Sequence, residues 1–331
     1  MNSAVFYTVG GLFLATLLFT VLFSRLLIPV LRRLKVGQPI LEIGPSWHLT
    51  KAGTPTLGGL AFIGGGCVAL LLVWLGLLYG GKAAYLQEFT VLFLYALLCA
   101  GIGFLDDRCK LRKRQNQGLT APQKYLLQLL AAAVFLFFAV AYLGLDTTVK
   151  VPFSHTVWRL NGFYYPLALL YLTGLGNALN LTDGVDGLLS SVAAVLAVFF
   201  LFFGLNGADE TALLTGALLL GATLGFLSVN AHPAKVFMGD TGSLFLGGLV
   251  SAAGILTEHP LLILLAGGVF VAEAASVILQ VLWFKISGGK RLFRMAPLHH
   301  HFEKCGFGEW QVVILFSLVG VIFAVLAWWG R

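Results

Sequence analysis

The sequence predicts an all-α, polytopic membrane protein of about ten transmembrane helices, with both termini on the outer side. Three observations carry that reading. The chain is 59% hydrophobic and only 11% charged, with a mean hydropathy of +0.92. Its apolar residues fall in continuous blocks of roughly 16–24, the length a helix needs to cross a ~30 Å hydrocarbon core. The blocks lack the alternation of a membrane β-barrel, so they satisfy their backbone groups as helices. A soluble enzyme is excluded, and residues 1–331 read as a single integral-membrane domain.

Ten spans follow in order, at about 4–24, 56–79, 89–105, 125–145, 163–181, 187–205, 211–229, 242–257, 261–284 and 310–329. The first has neither a basic leader nor a small-residue cleavage site, and reads as a retained helix. The seventh contains Gly221-Ala-Thr-Leu-Gly225, a spacing that permits close helix contact. The eighth is short, and the ninth carries Glu273 near its middle. The four cysteines, Cys67, Cys99, Cys109 and Cys305, are scattered, with neither disulfide-framework nor zinc spacing.

Alternate loops divide the 21 Lys and Arg residues 17 to 4, with Lys82, Lys150, Arg159 and Arg331 on the poorer side. The richer side is cytoplasmic by the positive-inside rule. Asp106, Asp107, Asp183, Asp186 and Asp240 all fall at cytoplasmic span ends. Uncompensated carboxylates at that depth are costly, so five of them suggest one shared site. No long soluble segment exists, and the chemistry therefore belongs to the membrane surface.

The first cytoplasmic loop runs from Trp47 to Gly59, an ordered turn rich in Gly, Pro and Thr, with Lys51 and Thr56 within it. Lys51 suits a phosphate as a point charge, or is simply an inside-facing lysine. The second begins Asp106-Asp107-Arg108-Cys109-Lys110 and continues into a basic run to Arg114 that suits anionic lipid heads. Neighbouring residues on a helix diverge by about 100°, so both carboxylates cannot face one metal without distortion. Asp106 and Lys110, four apart, also suit a surface ion pair.

The third constellation is Asn177–Leu188. Asn177, Asn180 and Asp183 recur at spacing three and share a face if the helix continues. Gly184 and Gly187 allow a turn and close backbone approach. Two carboxamides and two carboxylates suit a hydrated cation and a phosphate; the alternative is a polar helix end. Asn230 to Ser243 follows, with Asp240 at a helix start that favours anions, or as that helix's cap. Phe237 suits packing in the bilayer or stacking on a base. The last cytoplasmic loop holds Lys290, Arg291, Arg294 and His299-His300-His301. Three consecutive imidazoles cannot converge on one metal, and no HExxH context is present, so zinc is disfavoured. They can bond phosphate and sugar oxygens, or form a solvated cluster. Hard oxygen ligands without thiolates favour Mg²⁺. No phosphate-binding P-loop, dinucleotide turn or nucleophile elbow is present.

Together, Asp106-Asp107-x-x-Lys110, Asn177-x-x-Asn180-x-x-Asp183-Gly-x-Asp186-Gly-Leu188, Gly239-Asp240-x-Gly-Ser243 and the His run resemble the polyprenyl-phosphate N-acetylhexosamine-1-phosphate transferases. The run Met295-Ala-Pro-Leu-His-His-His-Phe-Glu303 is similar to the bacterial branch that transfers phospho-N-acetylmuramoyl-pentapeptide. The motifs occupy every cytoplasmic loop in the family's order. The resemblance implies a reaction of UDP-N-acetylmuramoyl-pentapeptide with undecaprenyl phosphate in the bacterial cytoplasmic membrane. Its products are lipid I and UMP, its cofactor is Mg²⁺, and the enzyme is a homodimer among membrane lipids, with no nucleic-acid partner.

It further implies Asp240 as metal ligand and Asp106, Asp107 and Asp183 as catalytic carboxylates. Asn180, Gly184, Asp186 and Phe237 fall in its nucleoside pocket. Lys51, Thr56, Gln280 and His300 fall among its diphosphate or sugar contacts, and Lys124, Asn177, Asn230, His299 and His301 also count as substrate-binding candidates. Two rivals remain. One is an N-acetylglucosamine-1-phosphate transferase of the same fold, which the His run disfavours. The other is a transporter, which would place ionisable residues at the bilayer midplane, where Glu273 is the only acidic candidate.

Overall fold

The computed structural model describes residues 3–34, 37, 53–78, 84–113, 115, 117–154, 156–207 and 209–331. Among the described residues, ten helices of 18 or more residues form the bundle. They are α1 (Ser3–Arg33), α2 (Gly59–Leu78), α3 (Ala84–Lys113), α4 (Ala121–Leu143), α5 (Tyr164–Thr182), α6 (Leu188–Gly207), α7 (Glu210–Asn230), α8 (Gly239–Leu256), α10 (Gly268–Ile286) and α12 (Glu309–Gly330). Two short helices, α9 (Pro260–Ala266) and α11 (Leu298–Lys304), complete the order. The strands β1 (Thr148–Lys150) and β2 (Val157–Arg159) pair antiparallel, Val149 opposite Trp158.

Nine of the ten long helices are apolar enough to cross a membrane by composition. The tenth, α5, is 19 residues long and is made more polar by Thr173, Asn177 and Asn180. The ninth expected span is interrupted at Gly267, which ends α9 and precedes α10. The other expected spans each correspond to one helix, several of them longer than expected because the helix continues past the apolar run. In α3 the extra turns carry Asp106, Asp107 and Lys110 inside the helix rather than on a loop.

The bundle is built around α8, which is buried along nearly its whole length among α2, α3, α5 and α7. Edge-to-face pairs of Phe62 with Phe226 and Phe93 with Phe245 fill the seams, with ring centroids 5.3 and 5.6 Å apart. Close approach depends on Gly103 of α3, where a Cβ would run into the Asp240 carbonyl. That contact sets the first turn of α8 against α3 one turn before Asp106 and Asp107. Gly239, at φ +73°, makes the turn into α8, a conformation that disfavours side chains.

Two ends of the bundle are distinct. At one, Lys150 pairs with Glu258 at 2.9 Å, and the Phe153 N–H bonds the Gly330 carbonyl at 2.9 Å. The hairpin, the start of α9 and the end of α12 therefore lie together. The Gly221–Gly225 pair of α7 faces Thr16 and Thr20 of α1, so α1 runs parallel to α7. The first described residues consequently lie at the hairpin end, with the last ones. Asp106, Asp107, Asp183 and Asp240 gather at the opposite end, with Lys110 and Lys124.

Candidate active site

The starts of α8 and α4 and the ends of α3 and α5 bring together Asp106, Asp107 and Asp240 with Lys110, Lys124 and Asn180, and Asp183 follows α5 nearby. Oxygens of Asp106, Asp107 and Asp240 lie within 4.8 Å of one another. Lys110 Nζ sits among them, 2.7 Å from Asp106, 3.9 Å from Asp107 and 3.0 Å from Asp240. The helical spacing of Lys110 makes this possible, three and four residues beyond the two acids. Lys124, in the first turn of α4, places Nζ 2.6 Å from Asp240 and 3.3 Å from Asn180 Oδ1. Asn180 Nδ2 donates to Asp240 at 3.1 Å and to Ser243 Oγ at 2.7 Å.

The adjacent aspartates diverge as helix geometry requires, and they do different things. Asp106 is buried, pairs with Lys110 and accepts from the Leu119 N–H at 2.8 Å. Asp107 is fully buried and caps α8, accepting from the N–H groups of Asp240 and Thr241 at 3.2 and 2.9 Å and from the Thr241 hydroxyl at 2.7 Å. Asp240 itself lies in the first turn of α8. The capping role that the sequence allowed for Asp240 thus belongs to Asp107, and the Asp240 carboxylate is turned toward the two lysines.

Asp183 follows the last turn of α5, and its side chain accepts no hydrogen bond among the described residues. Burial first, then the carboxylates of Asp240, Asp107 and Asp186, push its carboxyl well above the usual carboxylate range. Part of the residue still reaches solvent, and screening tempers the effect. Asp106, Asp107 and Asp240, when ionised, outnumber the Lys110 and Lys124 ammonium groups by one negative charge. A hard, oxygen-only donor set with that residual charge fits a divalent cation such as Mg²⁺.

The remaining candidates divide. Thr56 is buried, its hydroxyl unpartnered, beside Gly239 in the strip where Gly58 and Gly59 donate to the carbonyls of Phe237 and Met238. Phe237 is half-buried on that strip. Asn177 exchanges two hydrogen bonds with Gln128 of α4, at 2.8 and 3.1 Å, and so shares the general direction of Asn180 but not its partners. Asn230 clasps two loops, accepting from Gly187 N–H at 3.2 Å and donating to the Val236 carbonyl at 3.1 Å. Asp186 accepts from Ala234 N–H at 3.0 Å and approaches His232 Nδ1 at 3.1 Å; Glu309 lies 3.4 Å from the same nitrogen. Gln280 fastens the last loop, accepting from Leu292 and Phe293 N–H at 3.1 and 2.9 Å.

The three histidines, on α11, engage three different partners. His299 is buried against Glu273 and Gly184, His300 meets Glu303 at 2.7 Å, and His301 accepts from Arg294 N–H at 3.1 Å. Glu273, the acidic midplane residue on which a transporter would depend, is thereby engaged. Lys51 lies outside the described residues. Sequence reasoning missed Gln128, His232, Glu303 and Glu309. Glu303 closes the His run, and Gln128 also had a signal, a carboxamide four residues beyond Lys124 inside an apolar span.

The fold is that of a polytopic α-helical membrane protein with an acidic, lysine-threaded site at one end. A family model described as glycosyl transferase family 4 matches residues 89–258, and the chain belongs to that family. It is 45% identical over 310 residues to the phospho-N-acetylmuramoyl-pentapeptide-transferase of Geobacillus thermodenitrificans, with 93% of each chain covered. Its identity to the enzyme of that name from Bacillus subtilis is 44% over 310 residues, again covering 93% of each. That from Shouchella clausii is 45% identical over 309 residues, covering 92% of each. These relatives place the chain in the phospho-N-acetylmuramoyl-pentapeptide-transferase branch.

Proposed function

We propose that the protein transfers phospho-N-acetylmuramoyl-pentapeptide from its UDP donor to undecaprenyl phosphate, giving lipid I and UMP. The observation that carries this is the Asp106, Asp107 and Asp240 group threaded by Lys110 and Lys124 at the basic end of the bundle. An oxygen of the lipid phosphate attacks the sugar-bearing phosphorus of the donor. A new P–O–P bond forms as the bond to UMP breaks, so the lipid diphosphate and UMP balance the reactants. No strong base is required, because a phosphate monoester with a second pKa of about 6 is largely ionised at neutral pH.

The chain's own residues supply positioning and charge. Lys110 and Lys124 face the anionic oxygens, and Asn180 orients Asp240 and Lys124 together. Asp107 holds the start of α8, and Asp106 orients Lys110. Asp183 stands beside the turn carrying Gly184 and Asp186, where the nucleoside is read together with Phe237. Lys51, Thr56, Gln280 and the three histidines belong to the diphosphate and sugar side. Asp240 and Asp106 would hold Mg²⁺, whose contribution there is to neutralise the diphosphate and polarise the attacked phosphorus.

An apolar cavity of about 510 Å³ supports a place for the prenyl chain. It runs along α5 from Tyr164 to Ala178, walled by Leu264, Val271 and Ile278. The reading includes a single domain in the cytoplasmic membrane, the site facing the cytoplasm, both termini outside, and a homodimer among membrane lipids.

The test is purified protein with undecaprenyl phosphate, Mg²⁺ and a panel of UDP-sugars, scored for UMP. Release with the muramoyl-pentapeptide donor and none with UDP-N-acetylglucosamine is expected. Equal release from both would return the N-acetylglucosamine rival. The exposed Cys305 should react with an impermeant maleimide in inverted vesicles but not in intact cells; the reverse would overturn the orientation.

A further inference from the structure

Glu273 lies in the apolar run of α10 and is wholly inaccessible. A carboxylate in such a place is retained only when a partner offsets its lost hydration. One residue supplies that partner twice. Glu273 Oε1 accepts from the backbone N–H of His299 at 3.2 Å and lies 3.2 Å from His299 Nδ1. With Glu273 ionised its oxygen can only accept, the ring then donates through Nδ1, and Nε2 faces the other way. His299 is 1% exposed, and its Nε2 has no hydrogen-bond partner. That atom is pressed against Gly184, where a Cβ would collide with it. Gly184 belongs to the turn between Asp183 and Asp186.

A second peg on α10 shows what the arrangement does. Gln280, seven residues on and so on the same face, grips the backbone of Leu292 and Phe293 at the front of the last loop. Glu273 grips the same loop further along, at His299. The loop is thus fastened to α10 at two points, and the His299 imidazole is pressed against Gly184 in the Asp183–Asp186 turn.

We propose that Glu273 is a positioning residue for the transferase site. It acts through His299, whose ring orientation it fixes, and through that ring on the Gly184 turn. The proposal rests on the functional reading above, and it assigns Glu273 no contact with substrate.

The test is a mutant cycle on the full-length enzyme with undecaprenyl phosphate, Mg²⁺ and the muramoyl-pentapeptide donor. Wild-type turnover is scored first; its absence sinks the functional reading, whereas the pattern among variants decides only the role of Glu273. Glu273→Leu should lower kcat/KM at least about tenfold. Glu273→Gln, which keeps an accepting oxygen, should recover to within about threefold of wild type. The double variant Glu273→Leu/His299→Ala should be no worse than His299→Ala alone, because residues acting as one unit are non-additive. Glu273→Asp keeps the charge but shortens the reach; if the leucine variant does not accumulate, it takes that variant's place with the same expected non-additivity. Losses that multiply in the double variant, a glutamine variant as impaired as the leucine one, or wild-type kcat/KM in the folded fraction of a less heat-stable Glu273→Leu would each overturn the proposal.

Discussion

Asp107 on α3 caps α8 through Thr241, taking both its N–H at 2.9 Å and its hydroxyl at 2.7 Å. Thr241 is buried and holds no other side-chain bond among the described residues. Thr241→Val keeps the shape and removes the hydroxyl, leaving Asp107 one donor short. Losing a bond to a charged group costs about 1.5–3 kcal/mol. A lower melting temperature and a fall in turnover of about three- to tenfold are expected. Wild-type turnover with unchanged melting would mean that the cap does not position Asp240.

Lys110 reaches three carboxylates, at 2.7, 3.0 and 3.9 Å. Removing one partner of a part-buried charge cluster leaves the others uncompensated, at about 3–5 kcal/mol when the pair is buried. Lys110→Met should therefore do two opposite things. It should tighten Mn²⁺ binding, measured by electron paramagnetic resonance, because a competing cation has gone. It should also lower turnover by at least about a hundredfold, because an ammonium facing the phosphates has gone. Weaker Mn²⁺ binding would separate the metal from these carboxylates.

The spans were legible because helices in lipid must be long and apolar, and that demand is written locally in the chain. Only α5 and the α9–α10 break departed from it. In α5 Asn177 and Asn180 serve the site rather than the lipid, and at Gly267 a backbone turn leaves little trace in hydropathy. The central site was legible for the same reason in reverse. Asp106, Asp107, Asp183 and Asp240 are costly at a span end and stand out. Their division of labour was not legible, since Asp107 becomes a cap only when Gly103 lets α8 close on α3. Glu309 and His232 look like ordinary loop residues until they are brought together across residues 186–309.

The cavity beside α5 is open at Gly174, where an added Cβ meets nothing within 4 Å. A large side chain there enters the cavity without straining α5. Gly174→Phe should raise KM for undecaprenyl phosphate at least about fivefold while leaving KM for the UDP donor within twofold, roughly 1 kcal/mol against under 0.5 kcal/mol. A short-chain prenyl phosphate should be less affected. Equal effects on both substrates, or none, would place the prenyl chain elsewhere.

His300 carries the prediction about donor choice. Its Nδ1 meets the buried Glu303 at 2.7 Å, so one edge of the ring is fixed and the residue remains only half-buried. A cavity of about 550 Å³ opens beside Glu303, lined also by Asp186, His232 and Glu309. The loop presenting His300 also carries Lys290, Arg291 and Arg294, all at the surface. A donor with a lactyl-peptide offers amides and carboxylates beyond its sugar, and this is the polar surface long enough to receive them. UDP-N-acetylglucosamine offers none. His300→Ala should lower kcat/KM for the muramoyl-pentapeptide donor at least about tenfold, roughly 1.4 kcal/mol of transition-state stabilisation. Glu303→Gln, which keeps an acceptor for Nδ1, should cost less than His300→Ala. Replacing all three histidines without loss of turnover would remove the loop from donor recognition.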